Sequence, residues 1–188
     1  LRLADRRLRE IIDRESVGTV TAVFDEIITR TRDRMKLAIG EIPDGVYHFA
    51  DVMDDDGAGT EDIPIRLKTT IDGDRAVFDF TGTSPQVPGN VNIPINGTIA
   101  AVCYVLKAML DPEVPNNHGV IDAIEVIAPP GTMVSCIAPA SVASRAHTSQ
   151  RIVDVVIGSL AEALPDKVVG AANGANSMAI FSGLHPET

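Results

Sequence analysis

Tryptophan is absent from this 188-residue chain, tyrosine occurs twice, and aromatic residues make up only 4%. Basic residues are scarce over most of its length. Residues 1–40 carry nine Lys/Arg against seven Asp/Glu, a charge of +2, while residues 41–188 carry seven against nineteen, a charge of −12. An acidic body with few aromatics and no basic patch disfavours nucleic acid as a partner. It equally disfavours an anionic membrane surface. No apolar run approaches the roughly 18–20 residues that span a bilayer, and the sequence opens at Leu1 on an Arg-rich segment, with neither an initiator Met nor an apolar signal region. Both ends therefore read as cuts in a longer protein. Only two cysteines occur, Cys103 and Cys136, without C-x-x-C spacing. That makes a disulfide framework improbable and a reducing cytoplasm the expected compartment.

Several catalytic signatures are also missing. There is no G-x-x-x-x-G-K-[ST] phosphate loop and no G-x-G-x-x-G, so no nucleotide is held by a motif. His48, His118, His147 and His185 show neither H-x-x-x-H nor H-E-x-x-H spacing, and no G-x-S-x-G elbow marks a serine nucleophile.

What is present is a folded pattern: hydrophobic residues make up 45% of the chain and mean hydropathy is +0.13. Val20, Val23, Ile27, Ile28 and Met35 recur at helical spacing. They predict a long amphipathic helix over 17–38, preceded by a shorter one over 3–13. The Pro43-Asp44-Gly45 breaker ends that helical segment, 1–40, and opens an α+β body, 41–188. Strands are expected from Val46 to Val52, Ile63 to Ile71 and Arg75 to Phe80, the last two joined by a tight hairpin at Asp72-Gly73. A helix over Thr98–Leu110, capped by Thr98 or Asn96, comes next. Further strands are expected at Ile121–Ile127 and Thr132–Ile137, and a helix at Ser149–Leu164 stopped by Pro165. Residues 171–177 are small and Gly/Asn-rich, and 178–181 begin another strand. Hairpins and helices do not alternate as β-α-β units. The fold class is thus α+β, a mixed or antiparallel sheet with flanking helices and a long N-terminal amphipathic helix.

Candidate chemistry gathers where the strand ending at Phe80 gives way to a loop rich in Gly, Pro, Asn, Ser and Thr. Asp79, at the mouth of that strand, is placed to accept backbone N–H groups from Thr81 to Ser84, or to act as a base if its pKa is raised. Asn90 and Asn92 alternate about Val91. In an extended segment both amides face one side, to bind a ring amide or carboxylate or to satisfy the loop itself. Arg145 and Arg151 flank His147, Thr148 and Ser149. That group is either an anion site at a helix start or an ordinary capped one. The acidic run Asp51, Asp54, Asp55, Asp56, Glu61 and Asp62 fails the EF-hand template. With Gly57 at its sixth position, the first and twelfth become Val52 and Ile63, neither able to ligate. An exposed acidic turn is the expectation.

Four blocks carry a family resemblance: IPDGVYHFADVMDDDG, DFTGTSPQVPGNVNIP, NNHGVIDAIEVIAPPGTMVSCIAPASV and TSQRIVDVVIGSLAEALP. In this order, over residues 41 to 165, they resemble the hydantoinase B/oxoprolinase family of 5-oxoprolinase, N-methylhydantoinase and acetone or acetophenone carboxylase large subunits. The resemblance implies a central fragment of such a subunit. It further implies a hydantoinase A-type partner that handles ATP with Mg, and a divalent metal bound upstream of this stretch. The reaction it implies is ATP-dependent opening of a cyclic amide through phosphorylation of the amide oxygen, with a small-molecule substrate. Asp79 would be catalytic, and Thr81, Asn90, Asn92 and Arg145 would bind substrate. ATP-dependent ketone carboxylation is the alternative within the family, and a non-catalytic assembly domain the alternative outside it.

Overall fold

The computed structural model describes residues 1–171. His185, the strand start expected at 178–181 and all but the first residue of the Gly/Asn-rich stretch lie outside them. The chain opens with helices α1 (Arg2–Glu15) and α2 (Val17–Ile39), separated by Ser16 at a positive φ of 78°. The Ser16 hydroxyl caps α2 by accepting the Thr19 N–H at 3.3 Å. Three strands follow: β1 (Gly45–Asp55), β2 (Glu61–Asp72) and β3 (Arg75–Asp79). The remaining elements are α3 (Ile95–Met109), α4 (His118–Asp122), β4 (Ile124–Ile127) and α5 (Arg145–Leu160).

The sheet runs β1-β2-β3-β4, antiparallel at the first two junctions and parallel at the last, and is therefore mixed. β2 shows the period-2 logic most plainly. Ile63, Ile65, Leu67, Thr69 and Ile71 are buried while Arg66 and Lys68 on the other face are exposed. The inner face carries α5, which lies across β1 and β2 and in turn packs on α3. Gly158 of α5 passes so close to the sheet that an added Cβ would stand 2.6 Å from the Phe49 ring. Thr69 and Ser159 exchange a buried hydroxyl bond of 2.9 Å at the same interface. Phe78 and Phe80, fully buried, anchor the centre of the core, each side chain stabilising the fold by about 1.5–3 kcal/mol.

The two N-terminal helices behave differently from a core helix. α1 buries no residue. α2 buries Val20, Thr31, Met35 and Ile39, whereas Val23, Phe24 and Ile27, on its N-terminal half, stay about half exposed. Helical periodicity identified the element but not what covers it. Thr31 and its neighbours dock on α4, where a Cβ on Gly119 would stand 2.8 Å from the Thr31 Cβ.

Several boundaries differ from the sequence expectation, each for a local reason. The hairpin turn is Gly73-Asp74, because Asp72 still pairs with Arg75; Gly73 leads the turn with a φ of 58°. α3 begins at Ile95 behind Pro94, and neither Asn96 nor Thr98 caps it. Thr98 lies inside the helix and donates its hydroxyl to the Val134 carbonyl at 2.5 Å. The strand expected from Ile121 starts only at Ile124. Asn117 accepts the Gly119 N–H at 2.8 Å and turns the preceding residues into α4. Thr132–Ile137 forms no strand: Gly131 at φ 84° and a turn from Pro129 to Thr132 curl it, and Met133 and Val134 fill the core from a loop. α5 starts four residues before Ser149, at Arg145.

Candidate functional site

β3 ends at Asp79, and the next fifteen residues run as a loop to α3. This loop is held from three sides. Its backbone pairs with the 131–136 loop through Gln86 N–H to Gly131 O at 2.8 Å, Met133 N–H to Ser84 O at 2.9 Å and Ile93 N–H to Met133 O at 2.9 Å. Asn92 locks it from within. Its side-chain oxygen accepts the Val87 N–H at 2.8 Å, while its amide nitrogen donates to the carbonyls of Val87, Gly89 and Ser141 at 2.9–3.0 Å. Asp56 clamps it from the β1–β2 turn, accepting N–H groups of Gly89 at 2.9 Å, Ala58 at 2.8 Å and Thr60 at 3.0 Å. Hydrogen bonds from Thr60 above all, opposed by desolvation and reinforced by Ala58 and Gly89, hold the Asp56 pKa down at about 2.

The first cleft, about 460 Å3, opens on the sheet face opposite α5 and is lined by His48, Ala50, Arg66, Lys68, Asp79 and Thr81. His48, Lys68 and Asp79 are successive cross-strand neighbours on β1, β2 and β3. The Asp79 carboxylate accepts the Thr81 N–H at 2.9 Å and pairs with the Lys68 ammonium at 3.1 Å. Burial pushes its pKa up, but the bonds from Thr81 and the charge of Lys68 outweigh that and leave it below the usual carboxylate value. Asp79 is thus a fixed negative charge at neutral pH, able to accept a proton-bearing group but not tuned as a base.

A second cleft, about 320 Å3, lies between the acidic β1–β2 turn and the start of α5 and includes Asp54, Asp55, Asn90, Ser144, His147 and Arg151. Arg151 pairs with Asp51 at 2.7 Å and approaches Asp154 at 3.8 Å, which ties α5 to β1. Buried Thr148 donates to the Val91 carbonyl. A third space, about 790 Å3 and largely apolar, runs between α3 and α4 past Ile99, Cys103, Tyr104, Val120 and Ile121. Burial raises the Cys103 pKa to about 11, so this thiol is not a reactive thiolate.

The five sequence candidates are therefore not brought together. Asp79 and Thr81 share the outer-face cleft and Asn90 lines the second. Arg145 is exposed at the first turn of α5 and donates to the Val142 carbonyl at 3.2 Å. Asn92 does not face the same side as Asn90: Asn90 is exposed, and Asn92 is fully buried with its amide engaged on backbone groups. The acidic turn is exposed at Asp54 and Asp55 but not at Asp56, which is only 3% exposed. Sequence reasoning missed Arg66 and Lys68 as lining residues. Their signal was two cations two positions apart on a strand of an otherwise acidic body. Among the described residues no three His, Cys, Asp or Glu side chains gather as a metal site. The divalent metal that the resemblance implies is expected upstream of this stretch, and the described residues offer no ligand set for it. No described helix is long and apolar enough to cross a membrane.

Comparison with known proteins agrees with this architecture. The family described as Hydantoinase B/oxoprolinase matches residues 1–188. A Pseudomonas sp. (strain NS671) protein, provisionally named as the B-type component of a D-/L-hydantoinase, is 33% identical over 97% of this chain and 32% of its own length. 5-Oxoprolinase 1 of Arabidopsis thaliana is 32% identical over 80% of this chain and 13% of its own length. The crystal structure of the ATP-dependent caprolactamase from Pseudomonas jessenii superposes with a TM-score of 0.77 at 26% identity, over 88% of this chain and 29% of that one. The chain thus spans about a third, or less, of the length of these relatives. A match over its whole length, with a mixed sheet and flanking helices superposing on the caprolactamase, places this chain in the hydantoinase B/oxoprolinase family.

Proposed function

We propose that the subunit to which these residues belong opens a cyclic amide at the expense of ATP, together with a hydantoinase A-type partner that binds the nucleotide. The observation that carries this reading is the superposition on the ATP-dependent caprolactamase, whose name states both the nucleotide and the lactam. An unactivated lactam carbonyl is a poor electrophile. Phosphorylating its oxygen supplies the leaving group that lets water attack the ring carbon, and fixed charges and dipoles then stabilise the displaced charge.

In this chain the outer-face cleft at Asp79 supplies such fixed charges. Asp79 and Lys68 form a pre-oriented ion pair, rigid because Asp79 ends a paired strand and Lys68 is its cross-strand partner. Asp79 accepts a hydrogen bond from a ring N–H or orients an attacking water; a pKa below the usual carboxylate value makes it a weaker base toward that water. Asn92 is a structural lock. Asn90 borders a separate polar cleft.

The half-exposed apolar residues Leu3, Val23, Phe24 and Ile27 of α1 and α2 favour an assembly role for the N-terminal helical segment, 1–40, beside the catalytic one. The test is ADP release by the full-length subunit co-purified with its A-type partner, in the presence of 5-oxoproline, hydantoins, or a small ketone with bicarbonate. Stimulation by a cyclic amide, with the ring-opened acid accumulating, supports the proposal. Stimulation by the ketone alone makes the complex a carboxylase and rejects it.

A further inference from the structure

The outer face of the sheet holds a cation, Arg66, that pairs with no carboxylate among the described residues. Residues 41–188 carry only seven Lys/Arg against nineteen Asp/Glu, yet Arg66 has no side-chain hydrogen bond or ion pair among the described residues. Its cross-strand neighbour is Ala50, and Lys68 stands two positions along the same strand face, roughly 6.6 Å away by strand geometry. Lys68 already has Asp79. One carboxylate, Asp79, lines the cleft and pairs with Lys68, so an anion entering beside Arg66 meets a cation that this carboxylate does not neutralise.

The position of Arg66 is also fixed by the loop. The Thr83 hydroxyl accepts the Arg66 N–H at 3.1 Å and donates to the Arg66 carbonyl at 3.2 Å, so one side chain grips both backbone groups. The Arg66 stem crosses Gly82, whose φ is +94° and whose Cβ, if present, would stand 3.3 Å from the Arg66 Cδ. A positive φ there favours glycine, and its bareness leaves room for the guanidinium at the cleft. His48, beside Lys68 on the other strand, adds an imidazole to the same wall.

We propose that this cleft is an oxyanion-binding site, with Arg66 as its principal donor and Lys68 and His48 beside it. The ligand class is a carboxylate or a phosphate: a planar guanidinium matches two oxygens of either in parallel bonds. The proposal deepens the function given above and rests on it only for the anion's source. A carboxylate-bearing lactam and the phosphate of an activated intermediate offer the same chemistry.

The experiment is calorimetric titration of inorganic phosphate and, separately, of 5-oxoproline onto the full-length subunit with its partner, without ATP, as wild type and as Arg66→Gln. At least one anion binds the wild type, and Arg66→Gln weakens that binding roughly ten- to hundredfold, the loss of a charged hydrogen bond. Because the Arg66 side chain makes no hydrogen bond or ion pair among the described residues, the variant is expected to keep the wild-type melting temperature. Weakening for 5-oxoproline alone identifies a substrate carboxylate; weakening for phosphate alone identifies a phosphoryl group. The site is refuted when neither anion binds the wild type, or when Kd is unchanged in Arg66→Gln. Ring opening with an unchanged Kd rejects this site and keeps the enzymatic reading. An Arg66-dependent Kd without ring opening does the reverse.

Discussion

Replacing Asn92 by alanine tests the loop's construction. The side chain is fully buried and holds four backbone groups: the Val87 N–H and the carbonyls of Val87, Gly89 and Ser141. Truncation leaves the Val87 N–H without a partner in a dry site, and strands carbonyls that shared two amide hydrogens. Each orphaned buried group costs about 1–3 kcal/mol, so the N–H with one poorly compensated carbonyl gives about 3–4 kcal/mol. The cost falls on local opening of the loop, because the core strands do not depend on this amide. At a factor of ten per 1.4 kcal/mol, amide exchange should accelerate roughly 10²- to 10³-fold. Hydrogen-exchange mass spectrometry on peptides spanning 84–94 of the full-length subunit reads this directly, with β2 peptides as the internal control. Exchange at 84–94 that matches wild type would mean that Asn92 does not hold the loop. Asn92→Asp is expected to be no better, since it turns a carboxylate toward three carbonyl oxygens. Loss of activity in an Asn92 variant therefore reports a loosened loop rather than a lost substrate contact.

Two further outcomes follow from the same clamp. Gly89→Ala drives a Cβ into the Asp56 carbonyl and to within 2.6 Å of the Asp56 Cβ. It should cost at least the upper part of the usual ~1–3 kcal/mol for overpacking, measured as a lowered Tm. Asp56 gives the loop an acid limit. Its folded pKa of about 2 lies below the unfolded value near 3.9, so its contribution is complete above that value and disappears as pH falls through 2. Between about pH 4 and pH 2, wild-type 84–94 peptides should lose protection, and Asp56→Asn should lack that step; an identical acid profile in the variant would contradict the assignment.

How much of this was legible in the sequence depends on the residue. The β2 pattern Ile63-x-Ile65-x-Leu67 and the 3.6 spacing of α2 locate their elements because backbone geometry alone sets those periods. Thr132–Ile137 misled, because a β-rich composition also fits a loop whose Met133 and Val134 fill the core from irregular backbone. Asp79 and Thr81 share one cleft because both sit at the strand-to-loop junction, which composition alone marks. Asn90 and Asn92 do not share a side, because alternation holds only in an extended segment and this loop turns at Gly89 to meet Asp56. Arg66 escaped notice since its meaning lies in having no ion-pair partner among the described residues, and that is visible only when the neighbouring strands are in place.

If the Asp79 cleft belongs to the active site of an ATP-dependent cyclic amidase, as we propose, the charge of Asp79 matters to turnover. The most direct measurement is kcat for ring-opened product by the assembled complex, wild type against Asp79→Asn, with Tm and subunit association monitored in parallel. Asp79→Asn keeps the shape and can still accept the Thr81 N–H, but it removes the charge facing Lys68. Asp79→Asn is expected to lower kcat by about tenfold or more with the complex intact, the scale of a lost charge-assisted contact in a transition state. Turnover within twofold of wild type in an intact complex would contradict it and leave this cleft outside the chemistry.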